Sequence, residues 1–336
     1  MGFTVGWDVG GAHLKTALLD KSGTVVAANQ RPCPLWQGLG QLDAAFADSL
    51  ADLPNDARHA VTMTGELVDV FPNRKQGVVA IARACRRHLG DQARFWTGDG
   101  FVDVAQTERT WRKIASANWL ATANLCAQQV PNALMMDMGS TTTDLVAIAK
   151  SKVKPQGLDD GDRLISGELV YGGVTRTPVM ALGPKIAFQD QLVGVTAEHF
   201  ATTADLYRLL DKPIHDHYPS ADGQGKSAED SARRLARMVG RDFEDFPLET
   251  WRELAQALHL RQLDVIETAA RQVLKPHKLP AKAPVIGAGQ GGFNAQALAQ
   301  RLNRPYLPIG YLLRFTAAAA EMAETVVTAI AVASLL

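Results

Sequence analysis

Two aspartates, Asp8 and Asp137, each end an apolar run and are each followed two positions later by a glycine. In DVGGAHLK, residues 8–15, a carboxylate at a strand end can hold Mg2+, usually through water. Gly10 and Gly11 let backbone N–H groups approach phosphate oxygens without a side-chain clash, and Lys15 adds a point charge near the same oxygens. In DMGSTTTD, residues 137–144, Gly139, Ser140, Thr141 and Thr142 offer N–H and hydroxyl donors within one tight turn. That run of hydroxyl residues between acids exceeds what a hairpin requires, and it suits an anionic ligand. A third turn, GAGQGG, carries Gly287, Gly289, Gly291 and Gly292 after the apolar PVI and opens a helix. Its N–H groups and the helix dipole can meet a nucleotide or another anion. A dinucleotide fingerprint would need an acid on the strand that follows, and Arg301 to Pro308 supplies none.

The elements that must position these turns follow from periodicity. FTVGWDV, LKTALLD and TVVAANQ alternate as strands around Gly10-Gly11 and Ser22-Gly23, and HAVTMTG reads as a further strand. Leu39–Leu53 and Gly77–Leu89 have helical spacing, and Trp111–Gln129 reads as one long crossover helix stopped by Pro131. From Asn132 the pattern restarts, with NALMMDMG and LVAIAK flanking a polar turn, so two halves share one β-turn-β unit. GELV also recurs, at Gly65–Val68 and Gly167–Val170, each time after a hydroxyl residue. Residues 150–185 read as hairpins and loops. KPIHDHYPSADGQGKS reads as an exposed loop entering a helix through a Ser227 capping box, and two helices follow near 228–239 and 248–274.

Length and composition bound the rest. At about 150 residues per domain, 336 residues suggest two domains. Thirty-five Lys+Arg against 35 Asp+Glu exclude a binder held mainly by neutralising nucleic-acid phosphates, and 46% hydrophobic content excludes disorder. Cys33, Cys85 and Cys126 have no metal or disulfide spacing and read as reduced, packed thiols. His215 and His217 read as loop residues, because no third ligand lies at zinc spacing. The N-terminus lacks a secretory pattern, so a cytoplasmic protein is expected. Glu321 and Glu324 shorten the C-terminal apolar run below the roughly 20 residues of a membrane span. It reads as a buried helix, and the Ala317–Ala320 run allows close packing and a homo-oligomer contact.

Taken together, the three turns resemble the phosphate-1, phosphate-2 and adenosine motifs of the actin-like ATPase superfamily. Within it the chain is most similar to the hydantoinase/oxoprolinase branch. GWDVGGAHLK, MTGELVDVF, ASANWLATA and MDMGSTTTD resemble tetrahydromethanopterin-linked one-carbon pathway proteins, a group similar to methanofuran-biosynthesis enzymes. The resemblance spans residues 2 to about 310. It implies an α/β fold of two actin-like (ribonuclease H-like) lobes around a central cleft. The first lobe would be residues 1–125 plus a C-terminal helix at about 312–336, and the second 126–311.

The resemblance also implies a transferase that joins an aminomethyl-furan-methyl diphosphate to the phenol oxygen of a tyrosine- or tyramine-derived acceptor, releasing pyrophosphate. Asp8 and Asp137 would hold Mg2+ beside the diphosphate, and ATP would not be required. A phenol ionises near pH 10, so attack calls for a base, and Glu66 after Gly65 is the candidate. Asp69, Arg74 and Lys75 follow it and can assist diphosphate binding. One residue departs from the family: kinases and hydantoinases carry Thr or Ser where this chain has Ala12. Two other readings stay open, an ATP-dependent kinase or ring-opening hydrolase and a non-catalytic nucleotide-binding or filament-forming protein. Small-molecule substrates are expected in place of nucleic acid or membrane.

Overall fold

The computed structural model describes residues 2–336. A six-stranded sheet has the order β3-β2-β1-β4-β5-β6. Its strands are β1 (Thr4–Val9), β2 (His13–Leu19), β3 (Val25–Pro32), β4 (Arg58–Met63), β5 (Arg94–Trp96) and β6 (Phe101–Val102). Four helices belong to the same part of the chain: α1 (Leu39–Leu50), α2 (Arg74–Leu89), α3 (Thr107–Ile114) and α4 (Asn118–Gln129). β1 is buried at every position because it is central, antiparallel to β2 and parallel to β4. Trp7, Phe46, Val61, Ile81 and Phe95 lie in the core formed there.

The second sheet repeats this plan. β7 (Asn132–Met138) and β8 (Thr143–Ala149) form its hairpin, and the order is β10-β8-β7-β13-β14 with β9 (Lys152–Val153) also paired to β8. β10 is Leu169–Val170, β13 is Val285–Ala288 and β14 is Tyr306–Pro308, while β11 (Lys185–Phe188) and β12 (Gln191–Gly194) make a separate hairpin. β13 runs parallel to β7, as β4 does to β1. The helices here are α5 (Asp160–Ser166), α6 (Thr203–Leu209), α7 (Ala228–Met238), α8 (Leu248–Leu274) and α9 (Phe293–Arg301). Ser227 caps α7 in the expected box, its hydroxyl accepting from Asp230 N at 3.1 Å. Tyr207, Leu235, Trp251 and Leu298 pack into one core.

By contacts the chain forms two compact units. The first runs to Asn132 and takes in Ile148–Val153 and Pro308–Leu336; the second is Ala133–Ala147 with Lys154–Leu307. The C-terminal stretch in the first unit ends in α10 (Ala320–Ala323) and α11 (Val327–Leu335). Seven of the nine α11 residues, from Val327 to Ala333, are buried, as expected of a packed helix. It seats on β1 at Gly6, where an added Cβ would lie 1.8 Å from Ala329 O. Among the described residues no single helix is long and apolar enough to cross a membrane. The three cysteines are buried and unbridged, and burial pushes the Cys33 thiol up to about 11.

One expected element is different. Trp111–Gln129 is two helices, because Ser116 takes a left-handed conformation, φ 50°, between α3 and α4. A non-glycine residue there costs on the order of 1 kcal/mol or more, and such strain gathers at sites that use it. The contact made by Ser116 is described below.

Candidate functional site

In the first unit the site is built on the centre of the sheet. Asp8 pairs in register with Lys15 on β2 and with Thr62 on β4, which puts the three side chains in one row on one face. Asp8 is 6% exposed and Thr62 fully buried. Burial pushes the Asp8 pKa up, and the Lys15 charge works against that rise. Asp8 Oδ1 and Thr62 Oγ1 accept no hydrogen bond from any described residue. Buried oxygens left in that state cost about 1–3 kcal/mol each unless water or an ion meets them. A Mg2+ ion fits here: it keeps most of its waters and takes one or two carboxylates plus phosphate oxygens. Among the described residues no cluster of three or more His, Cys, Asp or Glu could hold a metal. The metal would therefore be held by single carboxylates, and Asp8 Oδ1 is a buried oxygen open to it.

The turn after Asp8 is shaped by close packing. Gly10 N–H donates to His13 O at 2.9 Å, and a Cβ on Gly11 would lie 2.7 Å from a Val68 methyl. Gly65 lies against the same turn, 3.1 Å from Gly10 O to its ideal Cβ. Glu66 follows, 1% exposed, and its Oε1 accepts from the Ser116 hydroxyl at 2.8 Å. The break between α3 and α4 thus serves Glu66, and Gly77 of α2 packs on the other side of it. Lys75 is turned to Glu108, 3.0 Å away at the surface, and Asp69 is exposed.

The second unit repeats the turn geometry. Gly139 N–H donates to Thr142 O at 2.9 Å, the counterpart of the Gly10–His13 bond. Gly10 and Gly139 therefore spend their own N–H groups inside the turns. The N–H groups of Gly11, Ser140 and Thr141 make no bond to a described residue and remain for a ligand. Asp137 is half-buried beside Ala288 of β13. Asp144, the acid that closes the motif, is instead structural: burial raises its pKa, and buried Arg163 pairs with it at 2.7 Å. The acid of the second GELV, Glu168, also anchors local structure, accepting from Gln156 N, Gly157 N and Ser166 Oγ within 2.9 Å.

The glycine turn lies directly on Asp137. Gly289 has φ +74°, and a Cβ there would stand 2.4 Å from Asp137 Oδ1 and 2.6 Å from Met138 O. Gly291 N–H donates to Met138 O at 2.9 Å, and a Cβ on Gly287 would meet Gly292 O at 2.7 Å. Gly289→Ala is expected to cost at least about 2 kcal/mol, since it adds left-handed strain to a clash with backbone. A drop in melting temperature of several degrees checks this, and an unchanged melt would mean that the turn can shift.

Several residues here carry no motif. Residues 172–177, GGVTRT, form a strap whose Thr175 and Arg176 N–H groups donate to Ser140 O at 3.1 and 2.9 Å. The strap is held from behind by a one-way chain of donors: Asn294 to the Tyr207 hydroxyl, Tyr207 to Gln262, and Gln262 to Gly173 O, each at 2.8 Å. Burial raises the Tyr207 pKa and pushes His259, 3.3 Å from the same hydroxyl, down to about 4. Both are neutral at physiological pH. Tyr207→Phe leaves Asn294 and Gln262 each short of a partner in the core, so a loss of about 1–3 kcal/mol is expected in a denaturant titration. A stability within 0.5 kcal/mol of the parent would show that the chain is slack. His215 and His217 belong to no group of three or more His, Cys, Asp or Glu among the described residues; His215 N–H donates to Gln290 Oε1 of the glycine turn at 3.2 Å.

A hydantoinase/oxoprolinase family model matches residues 58–327. The chain is 29% identical over 280 residues to a (4-{4-[2-(gamma-L-glutamylamino)ethyl]phenoxymethyl}furan-2-yl)methanamine synthase of Methanocaldococcus jannaschii, covering 82% of this chain and 83% of that protein. A Methanococcus vannielii protein of the same name is 31% identical over 150 residues, covering 44% of this chain and 67% of the relative. Among solved structures, nucleotide-free acetone carboxylase superposes with a TM-score of 0.56 at 11% identity, over 90% of this chain and 68% of that one.

Proposed function

From the premise that the chain belongs to the hydantoinase/oxoprolinase family and has its actin-like α/β fold, we propose that it is an ether-forming transferase of methanofuran-type cofactor biosynthesis. Its substrates are an aminomethyl-furan-methyl diphosphate and a tyrosine- or tyramine-derived phenol. The observation that carries this reading is the likeness to the archaeal synthase over 82% of the chain, reaching both units.

The turns suit the donor. In the first unit the Gly11 N–H and the Lys15 charge suit a phosphate group, and in the second the Ser140 and Thr141 N–H groups with the Ser140, Thr141 and Thr142 hydroxyls do, so phosphate can be bound without a strongly basic chain. Asp8 and Asp137 are the residues that would hold Mg2+. When bound, the ion neutralises the charge that builds on departing pyrophosphate. The furfuryl C–O bond breaks with its electron pair leaving on the diphosphate, and the furan ring delocalises the positive charge left on the methylene carbon. The phenol oxygen forms the new C–O bond and its proton passes to Glu66, whose Oε1 is oriented by Ser116. The Gly287–Gly292 turn supports Asp137 in this reading, and ATP is not consumed.

The test supplies the furfurylamine diphosphate and tyramine, or its γ-glutamyl amide, without ATP. Pyrophosphate and ether are expected in equal amounts. No ether, with ADP released from ATP once a substrate is added, would replace this reading with that of a kinase or ring-opening hydrolase. Polymerisation with nucleotide and no turnover would point to a filament former.

A further inference from the structure

We propose that Arg176 supplies the side-chain charge of a phosphate site at the 139–142 turn, and that Tyr218 holds its guanidinium ready for the anion. The proposal rests on the reading of that turn as a diphosphate site, and it adds a residue that lies outside all three turns.

The backbone fixes where this side chain starts. Arg176 N–H donates to Ser140 O at 2.9 Å, beside the Ser140 and Thr141 N–H groups that make no bond to a described residue. Every point on the arginine is therefore within one side-chain length of that turn. Strap and turn also form one piece, since a Cβ on Gly173 would stand 2.3 Å from Ser140 O and 2.4 Å from Thr141 N. From behind, Gly173 O accepts from Gln262 at 2.8 Å and from the Thr203 hydroxyl at 3.0 Å. Thr175 and Thr177 are each 4% exposed, whereas Arg176 between them is turned out to solvent.

The guanidinium carbon lies over the Tyr218 ring, 5.4 Å from its centroid. A neutral ring holds a guanidinium without cancelling its charge, and leaves N–H groups at its edge for two oxygens of one phosphate. Tyr218 is itself held in place. Its N–H donates to Asp216 Oδ1 at 3.3 Å, and Asp216 pairs with Arg208 and, at 3.3 Å, with Lys226. Arg208 in turn meets Asp205, which pairs at 2.8 Å with the fully buried Arg234. His215 joins the same loop to Gln290 of the glycine turn. The loop thus fixes the ring against which Arg176 rests, and its Asp216 is committed to two other cations.

The test titrates inorganic pyrophosphate, with Mg2+ present, into the parent and three variants by calorimetry. Arg176→Gln is expected to weaken binding about tenfold or more, the loss of a charge-assisted contact. Arg176→Lys should lose less, because it keeps the charge without the fork. Tyr218→Leu removes the ring and should weaken binding about threefold; unchanged affinity there would overturn the part given to Tyr218. Equal affinities in the parent and Arg176→Gln, or no binding to the parent, would overturn the site. Kinetics separate this proposal from the ether-synthase reading. Arg176→Gln should raise KM for the diphosphate donor about tenfold and leave KM for tyramine unchanged. No rise, or equal rises in both, would overturn the assignment while leaving the reaction in place. If the parent forms no ether, the reaction fails and the pyrophosphate titration alone judges Arg176. The side chain is exposed and the strap is held through its backbone, so melts of the Arg176 variants should match the parent.

Discussion

Asp8→Asn is expected to lower turnover sharply and to leave the protein at least as stable as before. The carboxylate is 6% exposed, burial raises its pKa, and one of its oxygens accepts no hydrogen bond from a described residue. Charge in that position works against folding and is retained for what it binds. Removing it should cut kcat by about 10² to 10³, the order seen when one preorganised electrostatic contact is lost, while the melting temperature holds or rises. The pH dependence has a definite sign. A carboxyl whose folded pKa lies above its usual 3.8 has no stability penalty below that value, where folded and unfolded forms are both protonated. As pH rises from there through the folded pKa, the parent loses stability and Asp8→Asn does not. Metal-free melts of both proteins from pH 3 to 8 should therefore diverge upward in pH. Parallel curves would show that the carboxylate is satisfied without a ligand.

Glu66→Gln is expected to lower kcat by about 10² to 10⁴, the range of a positioned general base. The amide keeps the size of the side chain and can still accept from Ser116 through its carbonyl, so the fold should survive. Ser116→Gly gives the companion result. It relieves the left-handed strain at φ 50° and removes the hydroxyl that aims the carboxylate, so stability should hold while kcat falls less than in Glu66→Gln. In both variants the donor KM should be unchanged. A Glu66→Gln protein that turns over normally would remove this residue from proton transfer.

The three turns were legible because each needs residues that ordinary strand ends do not. Gly289 has a left-handed φ, Gly11 and Gly65 have no room for a Cβ, and the hydroxyl run 140–142 has no structural use of that size. The repeated hairpin was legible for the same reason. Strand alternation marks Asp8 and Asp137 as the equivalent ends of central strands. The supporting groups were not legible, because their partners are distant in sequence. Thr62 looks like any β-strand threonine until its register with Asp8 is known. Tyr207, Gln262 and Asn294 sit on three helices whose periodicity is merely amphipathic, and only packing brings them into one chain of donors. Ser116 interrupts a helical pattern without glycine or proline, so nothing local announces the break. The two GELV copies look alike, yet Glu66 meets a serine 50 positions away while Glu168 binds backbone of its own loop.

The seat of α11 on Gly6 also sets the order in which the protein can be made. Strand β1 emerges from the ribosome early, but the helix that covers it is encoded more than three hundred positions later. The second unit lies almost wholly inside that interval. During synthesis the later unit can therefore finish folding first, while the earlier one waits with a buried strand still uncovered. A nascent chain halted before α11 would expose the apolar back of the strand that carries Asp8, and chaperone capture of such a stalled chain should cease once residues 327–335 have emerged.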